Sequence, residues 1–226
     1  MSTNPHPGLP SRFTMIGGMI STTSLDCSPG LKLLAVGFRL TDKADDLWSQ
    51  RFNSFKSGDK NAVNAGARTL VAALQTLRFA SKRRLLLGAI SSKDTHLGSA
   101  TPVNALCRSM AEAFDWEWPQ EILSKHPHKS LHTIKSGGSA RDAEVSNTYT
   151  CAKIGGGTGI AMIVDDFATR GATAGDIQRA FLAANPGWEF RSVTLAKTER
   201  IAFWEDKGGI SNSHVPEFLA KVWRGK

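Results

Sequence analysis

The stretch that most limits what this chain can fold into runs from Ile160 to Thr173. An apolar run, Ile160-Ala161-Met162-Ile163-Val164, ends there in two adjacent acids, Asp165 and Asp166. Ile160–Val164 has the length and branching of a buried strand. Thr173 is a good N-cap for a helix that puts Ile177, Ala180, Phe181 and Ala184 on one face before Asn185-Pro186-Gly187 stops it. The loop between them therefore lies at the carboxyl end of a strand and the amino end of a helix, where unpaired backbone N–H groups and the helix dipole make an anion site. Two carboxylates side by side at the end of a buried strand repel each other and cost desolvation, so they call for hydroxyls or a cation. The alternative is a solvated acidic turn, which has no need of a cradle built from Thr169, Gly171 and Thr173.

With 226 residues and 41% hydrophobic content, the chain suits one domain with a small appendage and a real core. A net charge of +8 implies attraction to polyanions, whether nucleic acid or a small phosphorylated ligand. Lys82-Arg83-Arg84 is the densest basic run and reads as a solvated helix end ahead of a nucleic-acid patch. Cys27, Cys107 and Cys151 are few, odd in number and far apart, which argues against a disulfide framework or a paired-thiolate zinc site and for a reducing, cytoplasmic setting. Phe13 to Ile20 is too short and glycine-broken for a signal peptide, and no stretch reaches transmembrane length, so no membrane partner is expected.

Taken in order, residues 1–25 read as an N-terminal tail, partly disordered, with Pro5, Pro7 and Pro10 in its loosest part. Residues 26–200 read as the α/β core and 201–226 as a C-terminal extension. Leu31–Phe38, Leu85–Ile90 and Ser192–Ala196 are strand candidates; helices are expected over about Asn61–Leu77 and Pro102–Trp116. Ser91-Ser92-Lys93 form a polar loop after the second of these strands. Residues from about 125 to 142 are basic, with His126, His128 and His132 too irregularly spaced for zinc, and with Gly137-Gly138 available as hinges between Lys135 and Arg141. The glycines of residues 155–159 precede a strand, so they read as a tight turn and not as a phosphate loop. Trp204, the Gly208-Gly209 bend and Asn212 are candidates either for holding a second substrate or for plain packing.

The run Ile163-Val164-Asp165-Asp166-Phe167-Ala168-Thr169-Arg170-Gly171-Ala172-Thr173 resembles, position by position, the loop of type I phosphoribosyltransferases that binds 5-phosphoribosyl 1-pyrophosphate (PRPP). Many members have Thr where this chain has Arg170; amidophosphoribosyltransferases look similar with Arg there. The order Phe55-Lys56-Ser57-Gly58-Asp59, strand with polar loop, basic segment, Ser139-Ala140-Arg141-Asp142 and then the acidic loop looks like the ComF-like, amidophosphoribosyltransferase-related branch. That likeness runs loosely over residues 30–198, and the amino-terminal CxxC zinc module of many such proteins is missing.

The resemblance implies a type I phosphoribosyltransferase fold: a central, mostly parallel twisted sheet flanked by helices, with a small hood to which residues 201–226 would contribute. It implies a pentosyltransferase that takes PRPP and a nitrogen acceptor with Mg2+ as cofactor and releases pyrophosphate. Asp165 and Asp166 would be the catalytic pair, holding the ribose hydroxyls and, through them, the metal. Thr169, Arg170, Gly171, Ala172 and Thr173 would take the 5′-phosphate, with Arg170 adding a charge-assisted contact. Ser91, Ser92 and Lys93 would take pyrophosphate, and Lys135 and Arg141 would sit on a flexible loop that closes over it. Thr169 stands where purine-salvage members have an acid, which points away from that subclass. A second reading keeps the fold without turnover, as a PRPP-sensing regulator or a ComF-like protein of DNA uptake. A homodimer is compatible with either, and nucleic acid as a partner rests on charge alone.

Overall fold

The sheet is built from strands whose two faces are both covered, and their apolar alternation sorts the core into two layers. The computed structural model describes residues 8–79, 83–127 and 146–226. The chain opens with β1 (Thr14–Ile16), β2 (Met19–Leu25) and β3 (Ser28–Leu40), followed by helices α1 (Leu47–Lys56) and α2 (Lys60–Gln75). Then come β4 (Arg83–Gly88), α3 (Pro102–Phe114), a short β5 (Leu123–Lys125) and β6 (Tyr149–Cys151). The last part holds β7 (Gly159–Ala168), α4 (Ala172–Ala184), β8 (Glu189–Glu199), a 3-10 turn (Glu205–Lys207) and α5 (Glu217–Trp223). Among the described residues the main sheet has six strands in the order β1-β2-β3-β8-β7-β4, and β5 and β6 pair as a separate antiparallel ribbon. The pairs β3–β8, β8–β7 and β7–β4 are parallel, whereas β1–β2 and β2–β3 are antiparallel. The chain is thus an α/β protein with a mostly parallel sheet and an antiparallel appendage on one edge.

Successive strand residues point to opposite faces. On one face Leu86, Met162, Val164, Val193 and Leu195 pack with α1, α2 and α3. On the other, Leu85, Leu87, Ala161 and Ile163 pack with Ile177, Ala180 and Phe181 of α4 and with Tyr149. The helices start where their caps dictate: Asp46 accepts from Ser49 N, Asp59 from Ala62 N, and Thr101 from Asn104 N with Pro102 in the first turn. No helix among the described residues is long and apolar enough to cross a membrane.

Several expectations need correcting. The N-terminal tail does not reach residue 25, because β1 and β2 join the sheet; Ser21 and Thr22 are buried in it, and their polarity hid the strand from a search for apolar alternation. The run Arg83-Arg84 begins a strand and is not a helix end: Arg83 grips Glu117 through two bonds of 2.6 Å. Of the two readings offered for Trp204, packing is the one the structure bears out: it is 6% exposed, lies edge-on against Phe13, and donates from Nε1 to Glu199. Of the predicted loop near 125–142, residues 128–142 lie outside the described residues, Lys135 and Arg141 among them.

Candidate functional site

Chain crossings locate the site before any side chain does. From the end of β4 the chain passes to the face that holds α3, and from the end of β7 it passes to the opposite face, to α4. β4 and β7 are neighbours. Their loops therefore diverge and leave a crevice outside the carboxyl ends of the two strands, the place where open α/β sheets bind ligands. Ala89 N donates to Val164 O at 2.8 Å, which sets the start of the Ser91–Lys93 loop beside Asp165. The two predicted anion loops are thus brought to the same edge of the sheet.

Both acids belong to β7 and not to the loop after it: the strand runs on through Ala168, with Asp165 in register with Thr194 of β8. Adjacent strand residues diverge in direction, and the two carboxylates have different company. Burial first, and then repulsion from Asp166, push the Asp165 carboxyl well above the ordinary carboxylate range, against the pull of the Asp166 N–H and Lys56. The Asp166 N–H donates to Asp165 Oδ1 at 2.8 Å. Asp166 Oδ2 lies 3.3 Å from Lys56 Nζ, and Oδ1 accepts from Phe167 N at 2.6 Å. Arg39, of β3, also feels the charge of Asp166, and both Arg39 and Lys56 lie over the Phe167 ring. Arg39 was not singled out from the sequence, and Lys56 entered only as a member of the Phe55–Asp59 run.

The connection from β7 to α4 is shorter than expected. Gly171, and not Thr173, is the residue before the helix; its φ of 85° is left-handed, and a Cβ there would come within 3.1 Å of the Leu25 side chain. No side chain caps α4, so the N–H groups of its first turn, including those of Ala172 and Thr173, lack a capping partner. Thr169 and Arg170 are exposed, and Gly171 is buried. The loop rests on the β2–β3 turn: Cys27 N donates to Arg170 O at 2.9 Å, Ser28 Oγ to Gly171 O at 2.7 Å, and Arg170 Nε lies 3.3 Å from Asp26. From below, Lys197 Nζ donates to Thr169 O at 2.6 Å.

Across the crevice, Ser91 O accepts from Asp94 N at 3.2 Å in a turn that leaves Ser91 and Lys93 exposed and Ser92 partly so. The turn hangs from the β5–β6 ribbon. Tyr149 Oη accepts from Ile90 N at 2.8 Å and donates to Ile90 O at 3.0 Å, and buried Lys125 also donates to Ile90 O at 2.9 Å. The ribbon is itself tied to α4, because the Asp176 carboxylate accepts from the N–H groups of Asn147, Thr148 and Tyr149 and from Arg179 Nε. Burial acts upward on Asp176, but Arg179 and those N–H groups outweigh it and hold its carboxyl below its usual range. Burial and, behind it, the charge of Asp165 raise both the Tyr149 phenol and the Cys107 thiol, so neither is a nucleophile near neutral pH.

Chemically the crevice offers two carboxylates, an uncapped helix start and a polar turn with one lysine. That set suits a ligand with hydroxyls in the middle and anions at both ends. Two carboxylates are also the hard oxygen donors of which Mg2+ takes one or two beside substrate phosphates, so the residues fit that ion. No protein-family model matches the chain, and no curated protein matches it. Among solved structures it is similar to one described as the allosteric regulatory enzyme of purine biosynthesis, with a TM-score of 0.34 and 14% identity over 58% of this chain and 25% of that one. The chain spans about a quarter of the length of that protein.

Proposed function

We propose that the protein binds PRPP with Mg2+ and transfers the 5-phosphoribosyl group to a nitrogen acceptor, releasing pyrophosphate. One observation carries the reading: two adjacent acids end β7 beside an uncapped helix start, at the point where the loops of β4 and β7 part. In the reaction the bond from C1 to the pyrophosphate oxygen breaks and a bond from C1 to nitrogen forms, through a transition state with oxocarbenium character. The acids accept hydrogen bonds from the ribose hydroxyls, with Asp166 steadied by Lys56. The N–H groups at the start of α4 and the hydroxyls of Thr169 and Thr173 hold the 5′-phosphate, far from the bond broken, so that its binding is converted into positioning. The Ser91–Lys93 turn takes the leaving group, with Lys93 countering its charge. Mg2+ held through Asp165 and Asp166 would supply further neutralisation of the leaving group.

The test is release of pyrophosphate from PRPP by purified protein with Mg2+ across a panel of amines and nitrogen bases. An acceptor should give turnover that Asp166→Asn lowers at least about a hundredfold, the scale of removing a group that orients the reacting centre. Binding without turnover across the panel would move the protein to a sensing role, and turnover that survives the substitution would remove the acids from the account.

A further inference from the structure

A second cavity lies away from the crevice at the sheet edge. It is a cleft of about 420 Å³ on the outer side of the helical layer, formed by α1, α2 and α5. Its volume is that of a small-molecule site. Arg51 of α1 and Arg68 of α2 flank it, Asn61 and Asn64 extend along the same face of α2, and Trp223 of α5 forms a wall.

The two arginines set the cleft apart. Most basic side chains at the sheet edge have partners, such as Lys56 on Asp166, Lys197 on Glu199 and Arg170 on Asp26. Among the described residues neither Arg51 nor Arg68 makes a hydrogen bond or an ion pair. Arg51 lies over the Trp48 ring at 4.6 Å. Burial, and then the like charge of Arg224, lower its basicity, while Arg224 already pairs with Glu217 at 2.7 Å. The acid in the lining, Asp59, is committed to Ala62 N at 2.8 Å as the cap of α2. Guanidinium forks that pair with no carboxylate match the oxygens of a phosphate, side-chain amides supply hydrogen bonds, and an indole face takes a flat ring.

We infer that the cleft between α1, α2 and α5 is a second ligand site, for a small organic phosphate whose other end is a flat ring: Arg51 and Arg68 bind the phosphate, and Trp223 stacks the ring. The site shares no residue with the crevice and does not depend on the chemistry assigned there.

Phenyl phosphate carries both features, and inorganic phosphate carries only one. Titrated calorimetrically into the wild-type protein, phenyl phosphate should bind saturably below about 10 mM and more tightly than inorganic phosphate. Arg51→Ala and Arg68→Ala should each weaken it about tenfold, and the double variant about a hundredfold, as expected for lost charge-assisted bonds. Both side chains reach the surface, so these variants keep the fold. Trp223→Leu should shrink the ratio of phenyl phosphate to inorganic phosphate affinity by about threefold or more; that ratio is insensitive to partial loss of folded protein. Saturable binding that the double arginine variant leaves unchanged, or no binding in the stated range, overturns the inference.

Discussion

The loop after β7 and the loop after β4 face each other across one crevice, and each hangs from a buried lysine, yet the two lysines are satisfied very differently. Lys197 donates to Thr169 O at 2.6 Å, to Thr198 O at 3.1 Å and to the Glu199 carboxylate at 2.7 Å. Lys125 donates to one acceptor among the described residues, Ile90 O at 2.9 Å, and otherwise lies over the Tyr149 ring. Burial lowers the basicity of both; Glu199 opposes this for Lys197, and the more remote charges of Asp165, Asp176 and Asp94 oppose it for Lys125. The difference separates a pin from a prop. The ammonium of Lys197 is spent on structure, fixing the β7 loop against the sheet. Lys125 holds its loop by a single bond and relies on Tyr149, and through Tyr149 on Asp176, to set the turn.

The largest effect should therefore follow from breaking the pin. Lys197→Met leaves Thr169 O and part of Glu199 without a partner in a site where the lysine side chain is 4% exposed. Glu199 keeps Arg12 at 2.7 Å and Trp204 Nε1 at 3.2 Å, so the cost should fall near the lower end for a broken buried pair, about 3 kcal/mol. Urea denaturation would measure it, and a loss under about 1 kcal/mol would reduce the pin to an ordinary ion pair.

The next effect lies on the other side of the crevice. Asp176→Asn should cost about 2 kcal/mol at pH 7, because charged acceptors make the stronger hydrogen bonds. The folded-state carboxyl of Asp176 is depressed, so its stabilising contribution is present above the ordinary Asp value near about 3.9 and is lost as pH falls through the folded value. The gap between wild type and variant in urea midpoint should consequently close on acidification, and a gap independent of pH would show that Asp176 acts by shape alone. Lys125→Met should be the mildest change, within about 1 kcal/mol of wild type, since relief of a buried charge offsets one lost bond and Ile90 O keeps Tyr149 at 3.0 Å. A cost matching that of Lys197→Met would erase the distinction.

Much of this architecture was legible in the sequence because the parallel strands are buried on both faces and read as apolar runs. Ile160–Val164 and Ser192–Ala196 fall inside strands of the sheet, and of Leu85–Ile90 the part up to Gly88 does, with Ala89 and Ile90 lying past the end of β4. The acidic pair and Gly171 were legible too, since adjacent carboxylates and a glycine after them are costly or pointless without a purpose. What was hidden is what depends on contact between distant segments. Asp165 and Asp166 extend β7 only because Thr194 lies alongside; no local rule continues a strand through two acids. Lysines read as solvated charges by default, so Lys56 entered only inside a run that resembles a family pattern and nothing marked the burial of Lys125 or Lys197, yet each meets a partner many residues away. Trp204 was ambiguous for the opposite reason: an aromatic near glycines suits a platform or plain packing, and Phe13, Arg12 and Glu199 decide for packing by enclosing it.

The central claim is that the two acids and the α4 start form one site for PRPP. Calorimetric titration of PRPP with Mg2+ into the wild type and into Asp166→Asn tests it most directly. The account predicts one-site binding with Kd below about 1 mM in the wild type and loss of at least about tenfold in affinity in the variant. Absence of binding at millimolar PRPP, or equal affinity in the two proteins, would contradict it.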